Sequence, residues 1–333
     1  MRTIIKHPAF EKGRQAVLRA LDTQMRGQII FVVGMSGVGK SEIRYDVMRS
    51  YAGSPSGWGT GKIPAIAVRA APTSGSYFNS KEFTLRLYLA LFEPDIGWVA
   101  NRKEVQSADC TIERTDKILG TLQWLDVRSL RTEHYLRTHV ERMIIARSVR
   151  AIFIDESASI TYAVMHKNPV DHMVNLMCLA EETNASLVMF GVPRMASLWE
   201  GNAEIIRRSR FVFVDRYRYE KADDRADFER LAVTVARNYR FHRTGLVHSS
   251  LDMAYASSAG VFGELVAYYQ RADDSRLMDG CHSIQRRHLE AAIASEFTLT
   301  TLHADARQYD ALSSPASARS IERILAEASE GPP

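Results

Sequence analysis

Eight consecutive residues, Gly34, Met35, Ser36, Gly37, Val38, Gly39, Lys40 and Ser41, have the types and spacing to hold a phosphate chain. They fill the pattern G-x-x-x-x-G-K-[ST] completely. Gly34, Gly37 and Gly39 let backbone N–H groups turn inward around a phosphate, where side chains would collide with it. Lys40 is placed to reach the β- and γ-phosphate oxygens of ATP, and the Ser41 hydroxyl to ligate Mg2+. A helix beginning near Lys40 would aim its positive end at the same anion.

A second pair of chemistry-bearing residues closes the run AIFIDE at 151–156. Four apolar strand residues end there in two carboxylates, at the edge where parallel sheets hold ligands. Asp155 is expected to hold Mg2+, directly or through water. Glu156 is expected to polarise the attacking water as a general base. Taken alone, two acids after an apolar run read as a solvated strand end; the complete phosphate loop upstream favours the catalytic reading.

These residues need a scaffold. Apolar β-branched runs alternate with helical stretches, which predicts an α/β fold, a doubly wound parallel five-stranded sheet. The expected strands are 28–33, 64–71, 151–154, 186–191 and 211–215, and the expected helices start near Lys40 and cover 80–92 and 129–147. Residues 93–127 are poorly patterned and are expected to be irregular. Beyond Tyr219 the strand signal stops, and 223–239, 251–257, 260–272 and 283–296 read as helices. The expected division is an entry segment (1–27), a nucleotide-binding α/β domain (28–219), an all-helical lid (220–297) and a C-terminal tail (298–333). In the tail, the linker composition SSPASA precedes Ile321, Ile324, Leu325 and Ala328. These form one apolar stripe on a short helix, which either docks on its own domain or binds a partner. The glycine-rich stretch 53–62 lacks a preceding strand and a lysine–serine ending, and reads as a mobile surface connection.

The 333 residues are 46% hydrophobic and 25% charged, as in a folded soluble protein. Lys plus Arg number 43 against 39 acidic residues, and a formal charge of +4 is too mild to argue for nucleic-acid binding. Cys110, Cys178 and Cys281 are far apart and lack zinc-site spacing, so buried thiols are expected. No apolar run approaches the ~20 residues that span a bilayer, and the opening MRTIIKHPAF has no signal-peptide core. A reduced, cytoplasmic setting without membrane contact is the expectation.

The order of these features, followed by an arginine-rich helix end and a helical lid, resembles the layout of AAA+ ATPases. Within them, residues 4–295 are similar to the TnsC/TniB family, the ATP-dependent regulators of modular transposons. The likeness is carried by His7-Pro8 with Arg14 in the next helix, and by a second strand ending in Ala71-Pro72. It continues in FGVPRMASLWEGNAEIIRRSRFVFVDRY (190–217) and SSAGVFGELVAYYQRA (257–272). The resemblance implies a P-loop AAA+ ATPase using ATP and Mg2+, which forms a homo-oligomer, a ring or helical filament, on double-stranded DNA. Its implied partners are transposase subunits and a target-selection protein or RNA-guided complex. It further implies that an arginine ahead of the fifth strand completes a neighbour's ATP site. Arg208 is the first choice and Arg210 the second; the plainer reading of IIRRSRF is a solvated basic helix end. Arg102, Lys103, Lys117, Arg128 and Arg131 are the candidate DNA contacts, although exposed cations on such segments are ordinarily just solvated.

Two positions depart from AAA+ expectation. The fourth strand ends in Phe190-Gly191-Val192, without the Asn or Thr used to orient water, and the lid helix has Gly263 or Glu264 where many members place a phosphate-sensing Arg. Both imply slow hydrolysis, with ATP used chiefly as an assembly signal. The alternative functions are an AAA+ oligomer acting on a protein partner without DNA, and a small-molecule kinase. Glu156 and the C-terminal lid argue against the kinase.

Overall fold

A computed structural model describes residues 5–23, 27–72, 77–98, 132–162, 168–243 and 245–329. Strands β1 (Ile29–Val33), β2 (Ala65–Arg69), β3 (Ala151–Asp155), β4 (Ser186–Gly191) and β5 (Ser209–Phe213) form one parallel sheet in the order β2-β3-β4-β1-β5. Every residue of β1 and β4 is buried, as unbroken apolar runs in a covered sheet require. One strand, β4, separates β1 from β3. The phosphate loop after β1 and the carboxylates ending β3 therefore share the sheet's C-terminal edge, about 10 Å apart at ~4.8 Å per strand.

Helices α1 (Pro8–Asp22), α2 (Lys40–Ala52), α3 (Ser80–Phe92), α4 (Glu133–Ala146), α5 (Pro169–Thr183) and α6 (Ala203–Arg207) pack around the sheet. Their starts are set locally. Asn79, Asn168 and Asn202 each accept a backbone N–H of the first turn, at 3.1, 3.0 and 3.0 Å. Pro8 and Pro169 stand where a helix has no use for the missing N–H.

Helices α7 (Ala222–Ala236), α8 (Gly245–Ser249), α9 (Leu251–Ser258), α10 (Phe262–Met278) and α11 (Arg286–Ala291) build the lid. Phe228, Leu231, Leu265, Tyr268, Tyr269 and Leu289 give it a core of its own. Gly260 has φ +73° at the entry to α10, and a Cβ there would lie 1.9 Å from the Tyr217 carbonyl oxygen.

Several boundaries differ from expectation. Strand β5 begins at Ser209 rather than residue 211, because it pairs residue for residue with β1, from Ile29↔Ser209 to Val33↔Phe213. Its polar start lies at the sheet edge, where alternation with apolar residues is weak. The helix expected over 283–296 is two. Short α11 ends at Ala291, and Ser295 caps a new helix, α12 (Glu296–Ser313), by accepting the Thr298 N–H at 3.3 Å. Helix α12 returns to the α/β domain, burying Ala306 and Tyr309 in its core. Asp310 of α12 pairs with Arg216, and with Arg218 at 3.3 Å. The division between lid and tail at 297/298 thus falls inside α12. Beyond it, α13 (Ala318–Ser329) keeps Ile321, Ile324 and Leu325 49%, 54% and 64% exposed, so the stripe is not docked on the described part of its own chain.

The 53–62 connection is pinned rather than loose: the Trp58 indole donates to the Ala52 carbonyl at 2.8 Å and its ring lies against Trp98, 5.7 Å between centroids. The thiols also correct the expectation of burial, with Cys178 exposed and Cys281 half-buried. Cys110, most of the segment expected to be irregular, and the candidate DNA contacts Arg102, Lys103, Lys117, Arg128 and Arg131 lie outside the described residues. Among the described residues no helix is long and apolar enough to cross a membrane.

Candidate functional site

A cavity of about 870 Å3 opens at the C-terminal edge of the sheet, within the size range of small-molecule sites. Ser36, Gly37, Gly39, Lys40 and Ser41 form one wall, and Asp155 and Glu156 face it. His7 and Phe10 close it from the entry segment, and Asn238, Tyr239 and Phe262 from the lid.

The loop is built as its glycines demand. Gly37 and Gly39 sit at φ +78° and +100°, conformations that side chains rarely adopt. A Cβ on Gly34 would lie 2.9 Å from Val38 and 3.3 Å from the Val214 carbonyl oxygen. Lys40 Nζ donates to the carbonyls of Gly34 (2.8 Å) and Met35 (2.7 Å), and the Val38 N–H donates to Met35 (3.3 Å). The loop is thus closed on itself, its lysine folded onto its own backbone. Burial pulls the Lys40 ammonium down to about 8, against the opposing charge of Asp155. An ammonium in such surroundings is short of anionic partners, which fits a phosphate ligand.

The acid pair is held by two arginines. Asp155, at the end of β3, lies 3.4 Å from the Arg44 guanidinium on α2. Glu156 has φ +53°, an uncommon conformation for a side-chain-bearing residue, and its N–H donates to Asp155 Oδ1 at 3.0 Å. Its carboxylate pairs with Arg69, the last residue of β2. Ser41 and Asp155 offer hard oxygens on one cavity, a donor set that suits Mg2+.

The lid touches the phosphate loop backbone to backbone. The Gly263 N–H donates to the Gly37 carbonyl at 2.9 Å, and a Cβ on Gly263 would lie 2.7 Å from that oxygen. A side chain at 263 would block this approach, which excludes an arginine at one of the two positions, Gly263 and Glu264, where the resemblance implied one.

No family model matches this chain, and no curated protein matches it. Solved structures do. The ADP form of the Aeropyrum pernix ORC2 protein gives a TM-score of 0.52 at 12% identity, over 88% of this chain and 70% of that one. The same protein in ADPNP–ADP complexes gives 0.51 at 10% identity, over 98% and 87%. A Walker-type ATPase of Pyrococcus abyssi gives 0.49 at 14% identity, over 90% and 75%. At such identities the shared property is the fold. It is an α/β fold, a five-stranded parallel sheet with a helical C-terminal region.

Within this fold the arginines expected to act between subunits lie away from the cavity. The Ile29 N–H donates to the Arg208 carbonyl at 3.3 Å, which places Arg208 at the opposite end of β1 from Gly34. Arg208 pairs with Glu181, and with Glu204 at 3.3 Å. Arg210 lies within β5 rather than ahead of it, half-buried. Among the described residues neither Arg210 nor exposed Arg207 has a carboxylate partner.

Sequence reasoning missed Arg44, Arg69 and Arg194, the last lining the cavity just after β4. Arg44 was within reach, since it follows Lys40 by four residues, one helical turn. It also missed a cluster in the lid. Asp279, Cys281 and His288 bring ligand atoms within 4.8 Å of one another despite their unpromising spacing. The cluster is already satisfied: Arg287 lies 3.1 Å from the Cys281 sulfur and 3.4 Å from Asp279. His288 Nδ1 accepts the Gln285 N–H at 3.0 Å, so its proton sits on Nε2, toward Asp279 at 3.2 Å.

Proposed function

We propose that this chain is a slow ATPase that uses ATP with Mg2+ to assemble on duplex DNA as a regulator of transposition. The observation carrying the nucleotide part is the convergence of the glycine-shaped loop, Lys40 and the Asp155–Glu156 pair on one cavity. In this reading, loop N–H groups and Lys40 take the phosphates, and Ser41 and Asp155 hold Mg2+, which would neutralise phosphate charge. Glu156 takes the proton of the attacking water. The Asp155–Arg44 and Glu156–Arg69 pairs both have to loosen for this, which agrees with slow turnover.

The position of 207–210 supports a site shared between subunits. Five residues of β1 at ~3.3 Å each put Arg208 about 16 Å from its own loop. An arginine there serves only a neighbour's phosphates. Arg208, Arg210 and Arg207 are the candidates.

DNA binding and transposition rest on the likeness to TnsC/TniB, carried by the residues quoted for it. The chain has no base-reading motif, so contacts to the DNA backbone would dominate and affinity would fall steeply with salt. The experiment is a mobility shift on random duplex DNA at low salt with Mg2+. Binding that needs ATP and tolerates any sequence is the expected result. No binding under these conditions would favour the alternative, an oligomer acting on a protein partner.

A further inference from the structure

Arg216 stands where the chain leaves β5 for the lid, and it is only 8% exposed. Its guanidinium holds three parts of the molecule at once. Two of its nitrogens donate to the Asp310 carboxylate of α12, Nε to Oδ1 at 3.2 Å and Nη2 to Oδ2. Nη1 donates to the Tyr255 hydroxyl of α9 at 2.9 Å and to the Ala259 carbonyl at 3.0 Å. The Tyr255 hydroxyl in turn accepts the Tyr219 N–H at 2.8 Å and donates to the Tyr217 carbonyl at 3.0 Å.

The turn held in this way needs its partners. Ala259 and Gly260 are both left-handed, at φ +48° and +73°. At a residue with a side chain such a conformation persists only where the surroundings over-determine it. The same turn sets the direction in which α10 departs. Phe262, three residues beyond Ala259, lines the cavity, and Gly263, the next residue, donates to the Gly37 carbonyl of the phosphate loop. A buried guanidinium is tolerated because a carboxylate neutralises it; without the carboxylate the charge is left uncompensated and pulls toward water. Asp310 is that carboxylate, although it does not itself line the cavity.

We propose that Asp310 is a positioning residue for the nucleotide site: acting through Arg216 and the Ala259–Gly260 turn, it seats the start of α10 against the phosphate loop. The inference rests on the nucleotide-site reading above. It makes the helix beyond the lid, and not the lid alone, a determinant of nucleotide affinity.

The test combines two measurements on the full chain carrying Asp310→Asn, which keeps the side chain's shape and removes its charge. Titration with a fluorescent ADP and Mg2+ should show affinity weakened about threefold or more, the low end of couplings carried through an intermediary. Hydrogen exchange should be faster over 259–266 and unchanged over 29–33 in the core of the sheet. A merely structural role would speed exchange in both segments and leave affinity alone. Unchanged affinity, or exchange that rises equally in both segments, overturns the assignment. Should Asp310→Asn fail to fold, Tyr255→Phe, which removes the hydroxyl bonded to Arg216, carries the same two expectations at smaller size. Lys40→Ala separates this from failure of the underlying reading. If it loses the nucleotide while Asp310→Asn keeps it, only the Asp310 role falls. If Lys40→Ala binds as wild type does, the nucleotide site itself is wrong, and this inference with it.

Discussion

The Arg69 guanidinium at the end of β2 pairs with the Glu156 carboxylate just beyond β3. Strand register makes the meeting unavoidable, since Arg69 stands opposite Asp155. In the proposed mechanism Glu156 has to leave Arg69 to reach the attacking water, so the pair would restrain hydrolysis. Both side chains are substantially exposed, 65% and 42%, and pairs of this kind are worth roughly 0.2–1 kcal/mol. Arg69→Ala should therefore raise basal ATP turnover by no more than about fivefold. A phosphate-release assay at saturating ATP measures it, and a fall in rate would mean that Arg69 positions Glu156 rather than restraining it.

Lys40 supplies the cavity's central cation. Charge-assisted contacts in a partly desolvated site are worth roughly 1.5–3 kcal/mol. Lys40→Ala should accordingly weaken ATP at least about tenfold, read by fluorescent-nucleotide titration. Undiminished binding would remove the phosphate loop from the account.

His7 predicts a pH dependence in the docking of the entry segment. Its Nδ1 lies 2.9 Å from the Tyr217 hydroxyl, and burial lowers its pKa from 6.5 to about 4. Above pH 6.5 both folded and unfolded states are neutral at this residue, and the contact stands at full strength. As pH falls from 6.5 toward about 4, the unfolded state takes up a proton that the folded state refuses, and stability is lost. The loss reaches up to about 3 kcal/mol. Thermal melts at pH 7 and pH 4.5 should differ more for wild type than for His7→Gln; equal differences would show that His7 is not the titrating group.

Subunit mixing probes the shared site. Glu156→Gln subunits lack the base, and subunits with Arg207, Arg208 and Arg210 all changed to Ala lack the proposed neighbour's arginine. A mixture forms some interfaces with an intact base and an intact arginine, and should regain turnover that neither parent shows. Arginine contributions of this kind reach about 10³–10⁵ in rate. Normal hydrolysis by the triple variant alone would end the shared-site model.

The phosphate loop and the acid pair are legible in the sequence because each is a contiguous run. The alternation of apolar strands with helices is legible too, and the sheet follows it. The partners of the acids are not. Arg69 meets Glu156 only because β2 pairs with β3, and strand order is not written in a single sequence. The same holds for Gly263, which reaches Gly37 across more than two hundred residues. Helix α12 escaped as part of the fold because Tyr309 and Ala306 are its only buried residues, too few to print a stripe. Strand β5 was misplaced by two residues because an edge strand tolerates Ser209 and Arg210 at its start.

Central to the account is that Glu156 performs hydrolysis and not binding. The direct measurement compares ATP affinity and single-turnover phosphate release for wild type and Glu156→Gln under one set of conditions. The substitution keeps the side chain's shape but cannot accept a proton, and general-base contributions run to about 10²–10⁴ in rate. The predicted result is unchanged ATP affinity with phosphate release slowed at least about a hundredfold. Release at the wild-type rate would contradict the account.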